Sequence, residues 1–162
     1  MNALNIDDIN IKSPYPVWQA ENNYVFTTEY GIEYSVSFDL DDYPRFTSYW
    51  FNLTNLHHEK SPGNAKIPQT LICIIEEFFN KNPDILLYLC STDGNQQAQR
   101  ARLFLRWFNG YEQQQRYAIK TTPVKGDETT EYVALIVQRA NPRINEIMEL
   151  FDKEIAIFNE NK

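Results

Sequence analysis

An unbroken apolar run, Ile85-Leu86-Leu87-Tyr88-Leu89-Cys90, restricts the folds open to this chain more than any other stretch. It has strand length, follows Pro83 and breaks at Ser91-Thr92-Asp93-Gly94. A strand that is apolar at every position needs cover on both faces. The pattern therefore predicts a strand in mid-sheet, with Leu87 and Leu89 both out of reach of solvent. After the break, Asn95 to Phe108 predicts a helix with Thr92 or Asp93 as its cap. Ala98, Ala101, Phe104, Leu105 and Phe108 fall on one face of it. Gln99, Arg102 and Arg106 fall on the opposite face, with Arg100, Leu103 and Trp107 to the side. The arginines are the only charged residues of this helix, in a chain whose formal net charge is -7.

The other elements follow from periodicity. Residues 1–22 are polar and carry Pro14 and Pro16, which predicts an irregular N-terminal arm with Trp18 as an anchor. Tyr24 to Thr28 reads as a strand, with a turn near Tyr30-Gly31. Ile32, Tyr34, Val36 and Phe38 then alternate with Glu33, Ser35, Ser37 and Asp39, the period of a half-buried strand. Ser48 to Leu53 supplies a third strand, completing an aromatic antiparallel meander. Beyond a polar connection over 55–66, Pro68 suits the first turn of a helix. Leu71, Ile72, Ile75, Phe78 and Phe79 give that helix a wide apolar face, and Asn82-Pro83 ends it. Arg116 to Val124 and Tyr132 to Gln138 read as strands joined by a hairpin at Lys125-Gly126-Asp127-Glu128. Asn141-Pro142 opens a last helix with its stripe on Ile144, Ile147, Met148, Phe151, Ile155 and Phe158. The expected order is βββ-α-β-α-ββ-α, a mixed α/β sandwich of the α+β class, with residues 23–162 as a single domain.

Composition narrows the class. With 43% hydrophobic and 14% aromatic residues in 162, there is enough apolar surface to offset the entropy of ordering. A pI near 4.8 disfavours a dedicated nucleic-acid binder. Cys73 and Cys90 each lie in apolar segments and read as buried free thiols. The first residues lack a basic and an apolar signal region, and no window approaches a membrane span, so a cytoplasmic protein is expected.

Tyr24-x-Phe26, Phe78-Phe79, Leu89-Cys90-x-x-Asp93-Gly94, Arg102-Leu103-Phe104-x-Arg106-Trp107-Phe108 and Asn141-Pro142 together resemble a small bacterial family of unknown function. The arginine-aromatic helix looks like its signature, and the resemblance implies no activity. From the second strand onward, the order of elements is also similar to the later part of GNAT-type acyltransferases. There a glycine-rich loop and a helix N-terminus hold the pyrophosphate of acyl-coenzyme A. Lys60-Ser61-Pro62-Gly63-Asn64-Ala65 stands at that place, so the resemblance implies Lys60, Gly63 and Ala65 as acyl-CoA contacts. Lys60 replaces the usual Gln or Arg, and Pro62 and Pro68 remove N–H donors. The same analogy would make Glu33 a general base and Tyr111 an acid.

Other chemistry is sparse. Neighbouring His57 and His58 point in different directions on any regular element, and no second ligand cluster has metal spacing. Asp39, Asp41 and Asp42 lack the loop motif of a divalent-cation site and read as a solvated strand end. No serine or cysteine stands in a nucleophile's context, so the catalytic residues are unassigned. Neither a metal nor a cofactor is expected on the main reading. Arg100, Arg102, Arg106 and Trp107 have three readings: a solvated helix face, a site for an acidic protein or other anionic ligand, or a nucleic-acid contact with single-stranded RNA stacking on the Tyr and Phe residues, which the overall charge disfavours. The functional expectation is a non-catalytic interaction or regulatory module that binds an acidic partner through this helix. An acyl-CoA-dependent transferase, or a relative that only binds the cofactor, is the alternative.

Overall fold

The computed structural model describes residues 1–42, 45–60, 62, 64–91, 106, 108, 113–125 and 130–160. The fold is α+β, and contacts divide the chain into two compact units, Met1–Asp41 with Tyr49–Pro83, and Asp42–Ser48 with Asp84–Lys162.

In the first unit, β1 (Val17–Ala20), β2 (Asn23–Thr27), β3 (Glu33–Leu40) and β4 (Ser48–Asn55) form an antiparallel meander. Tyr24 pairs with Val36, and Phe38 with Phe51. The predicted apolar helix is α2 (Lys66–Lys81), with Leu71, Ile72, Ile75, Phe78 and Phe79 all buried. Its Phe78 ring stacks on Phe38 at 5.0 Å and meets Tyr49 edge-on at 5.8 Å, so one helix residue joins two strands. The alternation expected in β3 is only partly kept, because Ser35, on its polar face, is buried as well.

The expected irregular arm is instead ordered. A short helix α1 (Ile6–Asn10) precedes β1, and Leu4, Ile9, Tyr15 and Val17 are buried. Trp18, the expected anchor, is 42% exposed. Side-chain to backbone hydrogen bonds, which leave no periodic trace in sequence, hold this region. Asn10 Nδ2 donates to Val17 O, and Val17 N donates to Asn10 Oδ1, at 2.9 and 2.8 Å. Asn5 N donates to the buried Glu77 of α2 at 2.8 Å, and Asn2 N to the buried Asn82 at 2.7 Å.

In the second unit, β5 (Ile85–Ser91), β6 (Tyr117–Lys125) and β7 (Thr130–Gln138) are antiparallel, and β7 pairs on both sides. Val133 to Val137 are buried without interruption. A four-residue helix α3 (Gln113–Arg116) leads into β6, and α4 (Ile144–Glu160) closes the chain. The last helix starts at Ile144, two residues beyond the expected Pro142, and Asn141 caps the turn that leads into it, for Arg143 N donates to Asn141 Oδ1 at 2.9 Å. Helix α4 runs in the same direction as β6. Lys120 Nζ pairs with Asp152, and Asn159 Nδ2 donates to Pro123 O at 3.1 Å. Of the predicted arginine helix only Arg106 and Phe108 are described, and both are helical.

The apolar run forms β5 as predicted, yet its burial ends early. Ile85 to Tyr88 are buried, whereas Leu89 is 48% exposed and overturns the expectation for that residue. Leu87 and Leu89 share a face by the two-residue period, and the cover on that face stops between them. Leu87→Ala should therefore cost about 2–5 kcal/mol as a core truncation, and Leu89→Ala less than about 1 kcal/mol. Urea unfolding midpoints of the two variants measure the difference, and equal losses would contradict the burial pattern.

Candidate functional site

The directions of the elements bring arginines to one end of the second unit. β6 starts where β7 finishes, with Tyr117 opposite Gln138 and Arg139 N donating to Arg116 O at 2.9 Å. Phe108 is fully buried and packs its ring 5.3 Å from that of Tyr117, on the face of β6 opposite to the one from which Lys120 meets α4, so Arg106 lies across the sheet from Arg143. Because α4 runs along β6, the residue just before it, Arg143, also lies here. The start of β5 faces the finish of β7 through Leu86 and Ile136, and Ile85 N donates to Thr47 O at 3.2 Å. The segment Arg45-Phe46-Thr47 thus arrives at this end too. Arg45, Arg106, Arg116, Arg139 and Arg143 are all exposed. All seven arginines of the chain fall within the residues of the second unit. That unit has 11 basic against 12 acidic residues, while the first has 4 against 10.

Beside this end lies an open groove of about 410 Å³, lined by Arg45, Phe46, Arg143, Glu146, Glu149, Leu150 and Lys153. The Arg143 guanidinium sits 4.3 Å above the centre of the Phe46 ring. Its Nε and Nη2 donate to the two carboxylate oxygens of Glu146, each at 3.1 Å. Ring and carboxylate together fix both the plane and the direction of the guanidinium. These hydrogen bonds from Arg143 hold the Glu146 carboxyl below the usual carboxylate range. Lys153 Nζ pairs with Glu149 at 3.1 Å. Arg45 makes no ion pair among the described residues. The Arg116 guanidinium lies 5.4 Å from the ring centre of Tyr117. Such an end can grip carboxylates or phosphates, and among the described residues it holds no nucleophile paired with a base.

Of the residues singled out in the sequence, Arg106 points to solvent as its helical face requires. Arg100, Arg102, Trp107, Gly63 and Tyr111 lie outside the described residues. Lys60 is exposed, and Ala65 precedes α2 without a side-chain capping bond. The first helical amides there are already engaged: Lys66 N and Ile67 N donate to Asn64 Oδ1 at 2.9 and 3.3 Å. Glu33 is half-buried in β3 with His57 Nε2 3.8 Å away, and both histidines are exposed. Asp39 accepts hydrogen bonds from Ser37 and Asn52, and Asp41 accepts one from Trp50 Nε1 at 3.1 Å. Among the described residues, no three His, Cys, Asp or Glu side chains group as metal ligands. Cys73 is a free thiol, half-buried rather than buried, because it lies at the margin of the α2 face. For Cys90 only the backbone, in β5, is described.

Sequence reasoning passed over Arg45, Phe46, Arg116, Arg139 and Arg143. One signal was available. Arg116 is the residue before β6, Arg139 the residue after β7, Arg143 the residue before α4, and Arg45 lies shortly before β4. Arginines at element ends converge when the elements are antiparallel neighbours.

The fold and this end of the molecule define an α+β protein of two compact units whose second unit gathers arginine and aromatic side chains. The chain belongs to a family described as a family of unknown function (DUF6169), whose model matches residues 63–153. The match runs from just before α2 into α4 and takes in the predicted arginine helix, while Tyr24-x-Phe26 falls outside it. No curated protein and no solved structure matches the chain. Among the described residues, no helix is long and apolar enough to cross a membrane.

Two measurements check the electrostatics. Burial, and then the Glu76 carboxylate, push the Cys73 thiol up, with Lys12 opposing them. A raised thiol pKa means less thiolate at pH 8, so in a Cys90→Ser variant Cys73 should react with a thiol reagent more slowly than a free cysteine peptide. Labelling as fast as the peptide would contradict this. Glu146 should titrate by NMR below an ordinary glutamate, and Arg143→Ala should return it to the ordinary range.

Proposed function

We propose that this chain is a non-catalytic interaction module that binds an acidic protein partner through the arginine-rich end of its second unit. The observation that supports it most is the convergence of Arg45, Arg116, Arg139 and Arg143 from separate elements, with Phe46 and Tyr117 among them. A solvated charged face needs no such gathering, since exposed ion pairs contribute at most ~1 kcal/mol each. Arginine backed by an aromatic ring suits an interface, because part of its entropy is already spent and its fork grips carboxylates in two places. Arg100, Arg102 and Trp107, the other partner contacts expected from the sequence, lie outside the described residues. The acidic balance of the chain weighs against a nucleic-acid partner.

Binding of a labelled peptide that alternates glutamate and leucine tests the reading. The wild-type protein should bind it with strong salt dependence. An Arg45→Glu/Arg143→Glu variant should fold normally and bind at least about tenfold more weakly, with association slowed most at low salt. A folded double variant with unchanged affinity would overturn the proposal.

One observation favours the second reading, an acyl-CoA contact at the start of α2. Asn64 Nδ2 is buried there with no hydrogen-bond acceptor. A pyrophosphate at this place would have to displace Asn64 Oδ1 from two amides. Thermal unfolding with millimolar acetyl-coenzyme A separates the readings, because a ligand of the folded state raises the midpoint and the interaction model expects no change.

A further inference from the structure

We infer that Glu146 is an internal stand-in for the partner's carboxylate. On this view the Phe46 groove takes a peptide segment in which an acidic side chain stands next to a large apolar one. The inference rests on the function proposed above. Arg143 is presented as a binding arginine would be, with one face on the Phe46 ring and its fork on a carboxylate, yet that carboxylate is its own neighbour three positions on. Both side chains of this pair are more than half exposed, at 54% and 55%, so water competes for it and exchange is inexpensive. The ring holds the guanidinium plane whichever carboxylate occupies the fork. Arg45, on the same groove and without an ion pair among the described residues, supplies the unbalanced charge that draws an acid in.

The rest of the lining selects the kind of partner. Leu150 and Phe46 give an apolar floor, and Lys153 is occupied by Glu149. A phosphodiester chain laid along the groove would meet Glu146 and Glu149 with a charge on every unit. A peptide needs only one carboxylate at Arg143 and an apolar side chain for Phe46 and Leu150.

Fluorescence anisotropy with a C-terminally amidated peptide alternating glutamate and leucine tests this across four proteins. Glu146→Gln removes the competitor and should tighten binding by about fivefold, the most an exposed pair is expected to withhold. Glu149→Gln removes the same charge and frees Lys153 instead of Arg143, a point charge that cannot hold a carboxylate in two places, and should change affinity much less. Phe46→Ala should weaken binding. If wild-type protein binds but Glu146→Gln binds equally or more weakly, or if Glu149→Gln tightens binding as much, the stand-in is wrong and the interaction function survives. Binding by neither the wild-type protein nor Glu146→Gln would overturn both. An RNA oligonucleotide of equal charge binding more tightly than the peptide would overturn the choice of partner.

Discussion

The antiparallel pairing of β7 with both β5 and β6 governs what the second unit can present. A strand paired on both sides has its ladder groups satisfied and its side chains buried on each face, as Val133 to Val137 are. The charges that flank such a strand are forced to its ends. Arg139 stands at the finish of β7, and the same geometry brings the start of β6 and the start of β5 to that point. The gathering of arginines is thus a consequence of pairing direction together with a preference for arginine at these element ends. A parallel arrangement of the same strands would scatter them.

Aromatic packing plays different parts in the two units. In the first it is interior: Phe38, Phe51, Tyr49 and Phe78 form a connected set of ring contacts between β3, β4 and α2. In the second, described aromatics also stand under arginines, where the first has a lysine, Lys66, 5.8 Å over the Tyr15 ring. Phe46 lies beneath Arg143, and Tyr117 touches both Arg116 and the buried Phe108. A ring under a guanidinium limits its rotamers before any ligand arrives, and this is the physical difference between a charged surface and a preorganised one.

Much of this fold was legible because burial follows period. The α2 face of Leu71, Ile72, Ile75, Phe78 and Phe79 is buried as its helical spacing implies, and the Asn141 turn that leads into α4 was visible from cap chemistry alone. Leu89 was illegible for the converse reason. It is chemically the same as Leu87, and only the three-dimensional extent of the cover separates them. The N-terminal segment escaped because polar bonds hold it, from the Asn2 and Asn5 amides to the distant Asn82 and Glu77 side chains and between the Asn10 side chain and the Val17 backbone, which no hydrophobic pattern records. For the candidate site, one helix with an unusual charge drew attention to Arg106. Arg45, Arg116, Arg139 and Arg143 are dispersed in sequence and meet only through topology.

The identity of the cation matters to the reading of that end. The first unit contains four lysines and no arginine, whereas every arginine of the chain belongs to the second. Were the requirement only solubility or local charge balance, lysine would serve as well, since a hydrated ammonium satisfies both. Arginine differs in its planar fork and weaker hydration, which are of use when a flat anion is to be held in one orientation or a ring is to be stacked. At Arg143 both uses are visible at once, with Phe46 on its face and a carboxylate on its edge. A lysine there could pair with Glu146, but as a point charge it could not fix the plane of what it holds. The segregation of arginine, more than the number of charges, is what supports the proposed recognition role of this surface over solvation.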